Sequence, residues 1–204
     1  MCDALPMARD RRPLHAGMPR RARPNATLLF KQVVADMARK LPELAHVRAA
    51  RILFVAGEAR RASRATIKPL GDGHVRVMLR GRRALYCVTL RPKFFRSSTR
   101  EERAATLLHE LLHIAPDFDG TLSPERRHER ISHARFSQLI APLLERYLAV
   151  ADPALLAALS HDGEVLARQW LERPTGKAGR RVYTEADLFL GPVEMLTARG
   201  SKVH

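Results

Sequence analysis

His109, Glu110 and His113 lie within the run Thr106-Leu-Leu-His-Glu-Leu-Leu-His-Ile114, an H-E-x-x-H pattern in a leucine-rich stretch. On a helix, two histidines four residues apart are separated by about 40° around the axis and about 6 Å along it, so both imidazoles can reach one metal ion. Zinc held by neutral ligands keeps a position open for water and lowers that water's pKa toward 7. A carboxylate must then take the proton, and the spacing assigns that role to Glu110. A chain with nine histidines would produce the pattern by chance about 0.02 times, so coincidence explains it poorly.

The elements around the pattern are those needed to position it. Ser98-Thr-Arg-Glu101 reads as a capping box that starts a helix early enough for His109 and His113 to fall in its later turns. Ala104, Ala105, Leu107, Leu108, Leu111 and Leu112 make most of that helix apolar, leaving Glu102, Thr106, His109, Glu110 and His113 as one polar stripe. Before it, residues 27–41 have helical periodicity ended by Pro42, residues 51–55 and 85–90 read as strands, and residues 74–80 alternate. With a turn at Arg80-Gly-Arg-Arg83, these strands predict a small, mostly antiparallel sheet leading into the metal helix.

After the motif, Pro116 to Thr121 is rich in turn formers, and Ser123-Pro124 is an N-cap followed by proline at the first helical position. A second long helix is predicted from there, with Phe136, Ile140, Leu143 and Tyr147 on its apolar face. Residues 164–171 and 181–190 suggest a C-terminal hairpin turning at Lys177-Ala-Gly179, after a short helix over 153–159. Trp170 is read as a packing residue. The fold class expected is α+β, divided into a basic disordered arm (1–24), a catalytic domain (25–150) and a C-terminal extension (151–204).

Catalytic zinc needs a third protein ligand, and the sequence offers several. Asp119 lies six residues after His113, where H-E-x-x-H-x-x-G-x-x-H proteases place theirs, although Pro116 stands in place of the turn-forming glycine. Glu129, His128 and His133 are the alternatives on the following helix. Imidazole is the commoner partner, and His133 shares the side of Phe136 and Tyr147 that must bury, whereas His128 lies nearer the helix N-terminus with its partial positive charge. His133 is therefore preferred, His128 is second and Asp119 third.

The run His109-Glu-Leu-Leu-His-Ile-Ala-Pro-Asp-Phe-Asp-Gly120, followed by Arg126-Arg127 and His133-Ala-Arg-Phe-Ser-Gln138, resembles phage-type and bacterial zinc metallopeptidases. The resemblance is strongest over residues 95–150 and does not extend to the last fifty. It implies a minimal zincin-like fold, hydrolysis of peptide bonds in a protein or peptide substrate, His109 and His113 as zinc ligands, Glu110 as general base and a downstream histidine as third ligand. Arg127 and Tyr147 are further candidates to stabilise the oxyanion.

Charge sets up a rival reading. The net charge is +15, and between Arg60 and Arg100 twelve basic residues face one acid, Asp72, whereas residues 101–150 carry six bases and eight acids. A basic nucleic-acid-binding protein with a structural or degenerate zinc site is the alternative, although no known nucleic-acid motif accompanies the charge. The two cysteines, Cys2 and Cys87, cannot form a disulfide scaffold, and no segment approaches the roughly 18 apolar residues of a membrane span. The expectation is a cytoplasmic protein without a membrane partner.

Overall fold

The computed structural model describes residues 23–59, 63–70, 76–124, 133–169 and 182–198, with side chains of 133–137 excluded. The basic arm, His128, Glu129, Arg127, Trp170 and the turn at 177–179 lie outside the described residues.

Asn25 caps α1 (Ala26–Lys40), its Oδ1 accepting the Leu28 N–H at 3.0 Å. The strands β1 (Ile52–Ala56), β2 (Ala65–Pro69), β3 (Arg76–Leu79), β4 (Arg82–Arg83) and β5 (Tyr86–Leu90) follow. Next come α2 (Pro92–Arg96), α3 (Arg100–Leu112), α4 (His133–Val150) and α5 (Pro153–Leu159), then β6 (Gly163–Gln169), β7 (Val182–Thr184) and β8 (Phe189–Met195). The class is α+β, as expected. No described helix is long and apolar enough to cross a membrane.

The main sheet is mixed, which corrects the mostly antiparallel sheet read from the sequence. Its order is β2-β5-β1-β6-β8, with β1 parallel to both β5 and β6 and the outer pairs antiparallel. β5 does not turn back on β3, because β3 closes a hairpin with the short β4 and leaves the main sheet. β3 instead pairs in parallel with β7 in a second sheet of order β4-β3-β7. The C-terminal hairpin exists with a later second strand, since β8 pairs with β6 over Phe189 to Met195 while Val182 to Thr184 go to the second sheet. The segment expected as an extension thus adds two strands to the central sheet.

Strand alternation divides the core in two. Ile52, Phe54, Tyr86, Val88 and Leu90 face the helices, where Phe30, Phe94 and Phe95 stack edge-on at centroid separations of 5.4 to 6.1 Å. Leu53, Val55 and Cys87 face the opposite way, onto Val77, Leu79 and Ala84 of the second sheet. The molecule therefore has three layers: helices, main sheet, small sheet.

Candidate metal centre

The helix that carries the motif is capped by Thr99. Its Oγ1 accepts the Glu102 N–H at 3.1 Å, and Glu102 Oε2 accepts the Thr99 N–H at 2.9 Å, so the capping box lies one residue later than predicted. Ser98 cannot serve, because it is buried with its hydroxyl donating to the Lys93 carbonyl and accepting from Arg64 Nε, both at 3.0 Å.

A second anchor fixes the first turn of α3. Arg103, fully buried, donates to the carbonyls of Phe94 (3.1 Å), Phe95 (2.7 Å), Leu159 (2.5 Å) and Leu196 (2.6 Å) and to Thr197 Oγ1 (3.1 Å). It joins α3 to the ends of α2 and α5 and to the chain leaving β8. Nothing in the sequence marks Arg103, because an arginine in a helix ordinarily reads as solvated surface.

One and a half turns on, the rings of His109 and His113 meet edge to face, 5.0 Å between centroids with planes at 70°. His113 is the C-cap yet keeps right-handed helical backbone (φ −75°, ψ −15°), so its side chain stays in line with that of His109. His109 is half-buried and His113 is 7% exposed.

Glu110 is buried, at 6% exposure, and is not part of a solvated stripe. Burial pushes its carboxyl up to about 7 from the usual 4.5, against the opposing pull of an Ile67 N–H bonded to it and of the Arg91 guanidinium. The Ile67 bond follows from strand register. Arg91 N–H donates to Arg64 and Leu70 N–H to Leu85, so residues 64, 66, 68 and 70 of β2 pair toward β5 while Ile67 points its N–H outward, toward Glu110. Arg91 is buried beside this edge, donating to Thr66 Oγ1 at 3.2 Å and to the Glu58 carbonyl at 2.9 Å. Sequence reading missed both Arg91 and β2. Ala-Thr-Ile-Lys-Pro has one large apolar residue and ends in proline, leaving no alternation to detect.

The raised carboxyl gives a signed expectation for the metal-free protein. The native state holds a proton that the unfolded chain releases, so this group's stabilisation is complete below pH 4.5 and is lost as pH rises through about 7. Relative to Glu110→Gln, wild-type stability should fall across that window by up to ~3 kcal/mol. Urea titrations of both proteins at several pH values check this, and parallel stability profiles would contradict it.

The loop after α3 is tightly pinned. Tyr86 is buried, donates its hydroxyl to the Thr121 carbonyl at 2.9 Å and accepts the Gly120 N–H at 3.0 Å, while its ring lies 5.1 Å from Phe118. Phe118 (φ 50°) and Gly120 (φ 100°) both adopt left-handed backbone to close the turn. Ser123 N–H donates to the His113 carbonyl at 2.8 Å, so the chain bearing His128 and His133 departs from beside His113.

Asp119 is exposed, and its Oδ1 accepts both the N–H (2.9 Å) and the hydroxyl (2.8 Å) of Thr121, bonds that hold its carboxyl below the ordinary range. It makes the turn. Tyr147 donates to Asp36 Oδ2 at 3.2 Å, tying α4 to α1, which commits its hydroxyl away from oxyanion stabilisation. For His133, at the first position of α4, only the backbone is described. Among the described residues no group of three metal-binding side chains converges.

Two imidazoles thus meet on one helix, with a buried and oriented carboxylate between them in sequence. Residues 27–136, more than half of the chain, match the family described as "Putative phage metallopeptidase", and the chain belongs to that family. The family implies a metal ion. The match includes the motif helix, His128 and His133, and stops before β6. No curated protein and no solved structure gave a match.

Proposed function

We propose that the protein is a zinc-dependent peptide hydrolase with a zincin-like fold, in which His109, His113 and His133 hold the metal and Glu110 is the general base. The observation that carries this reading is the placement of Glu110: buried, flanked in sequence by the paired imidazoles, and held by the outward N–H of the edge strand. Neutral imidazoles suit zinc, and the 5.0 Å separation of their rings lets both approach one ion. Bound zinc would supply Lewis acidity at the scissile carbonyl and acidify the attacking water.

Glu110 takes a proton from that water and returns it to the leaving amine. Burial raises the affinity of this carboxylate for a proton, which favours its acting as a base. β2 is the outermost strand of its sheet and packs against α3.

Purified protein should contain about one zinc and cleave an unstructured protein substrate, and His109→Ala or His113→Ala should abolish both. Undiminished zinc in these variants rules the centre out. The third ligand has its own test. His133 opens a helix whose Ile140, Leu143 and Tyr147 are buried in the helical core, so it starts the turn preceding a face already turned inward. In competitive chelator titrations His133→Ala should weaken zinc by orders of magnitude and His128→Ala only slightly. The opposite ranking transfers the role to His128.

A further inference from the structure

Four of the eight residues from Arg76 to Arg83 are arginine and none is acidic. Among the described residues, the exposed arginines of the basic segment that lack an ion pair lie there, with Lys68 and Lys93 exposed elsewhere. Arg64, Arg96 and Arg100 pair with Glu102, Glu194 and Glu101, and Arg91 is buried. Arg76, Arg80 and Arg82 are exposed and make no ion pair with any described residue. The acids of the small sheet follow β7, whose parallel register brings residues 185–187 against β3; there Glu185 bonds Lys31 at 2.5 Å and Asp187 accepts from Thr184 at 2.7 and 2.8 Å.

These arginines sit on the β3–β4 ribbon, which β7 extends on the other side of β3 and whose tip protrudes. Leu79 pairs with Arg82, and Arg80 (φ 47°) and Gly81 (φ 78°) form a two-residue turn of the I′ type. A Cβ built on Gly81 would meet nothing within 4 Å, so the tip stands clear of the body. Arg80 holds a left-handed position that turn chemistry normally gives to Asn, Asp or Gly. Inward, Val77, Leu79 and Ala84 fix the ribbon rigidly on the main sheet.

We propose that the β3–β4 ribbon binds the phosphate backbone of duplex nucleic acid without reading sequence. Guanidinium forks match phosphate geometry, and the protruding β3–β4 tip can present them to a duplex backbone. Arg76 opens β3 and Arg80 begins the turn after it, about 13 Å along an extended chain, a span that crosses several phosphates of one strand. The ribbon has no aromatic side chain on which to stack unpaired bases, which disfavours a single strand, and no Asn or Gln to read base edges. The ribbon lies on the face of the main sheet opposite α3. The proposal therefore stands apart from the peptidase reading, and Glu110→Gln should bind duplex as wild type does.

Fluorescence anisotropy of a short labelled DNA duplex of mixed sequence, titrated with full-length protein over a range of salt, tests it. Each phosphate contact contributes about 0.9 to the slope of log affinity against log salt. Replacing Arg76, Arg80 and Arg82 together with Gln should flatten the slope by about 3, and Arg80→Gly, which suits the left-handed backbone, by about 1. A control replacing Lys40, Arg48 and Lys93 with Gln removes the same charge from other exposed positions and should leave the slope nearly unchanged. Equal flattening by both triple variants would assign the effect to net charge and overturn the proposal. So would absence of duplex binding, or tighter binding to anionic phospholipid vesicles than to the duplex.

Discussion

Glu110→Gln should retain zinc at wild-type affinity and lose peptide hydrolysis by about 10²- to 10⁴-fold, the contribution expected of a positioned proton-transfer group. The substitution preserves volume, and the amide oxygen can still accept the Ile67 N–H that orients the side chain. Only the basic site is removed. The measurement pairs zinc analysis with a cleavage assay. Full activity with zinc retained would show that the water proton goes elsewhere, whereas loss of zinc along with activity would make Glu110 a determinant of metal binding.

Arg103→Met should be the most destabilising single change outside the metal centre, by on the order of 3–5 kcal/mol. Methionine cannot donate, so the carbonyls of Phe94, Leu159 and Leu196 lose their Arg103 donor, while that of Phe95 keeps the Leu196 N–H at 2.8 Å. The nearby carboxylates of Asp162 and Glu102, which partly offset the cost of burying the cation, also lose their countercharge. Arg103→Lys should recover only part of the loss, because a point charge with three donors cannot reproduce a planar fork with five. Urea unfolding midpoints at unchanged slope measure the effect. A loss below about 1 kcal/mol for Arg103→Met would mean that water or backbone adjustment replaces the fork.

The motif helix was legible because two signals agreed there: the spacing of His109 and His113 and an apolar surround that needs a helical period. α1 and α5 were readable for similar reasons, from leucine and valine spacing in one and an Asp152-Pro153 start in the other. What the sequence did not disclose is nonlocal. Ala65 to Pro69 becomes a strand only because β5 offers it a partner, and β8 contains Gly191 and Pro192, which locally read as a turn. Arg103 and Arg91 look like surface charges until folding brings carbonyls from distant segments around them. Parallel pairing of β1 with β5 and β6 leaves no local trace, since its partners are separated by whole supersecondary units. Asp119 fits the spacing of a third ligand, yet the turn it sits in gives Thr121 first claim on its carboxylate.

The position of β6 beside β1 also sets an order of events during synthesis. β1 ends at Ala56, and its second neighbour is not made until more than 100 residues later, at Gly163–Gln169. The carbonyl of Leu196, which helps to hold Arg103, is later still. At about 5–20 residues per second, the motif helix leaves the ribosome several seconds before the segments that seat its first turn. Contacts so distant along the chain form slowly, and the motif helix must wait for them. The seating of the motif helix is thereby deferred until β6 and the segment leaving β8 have been made.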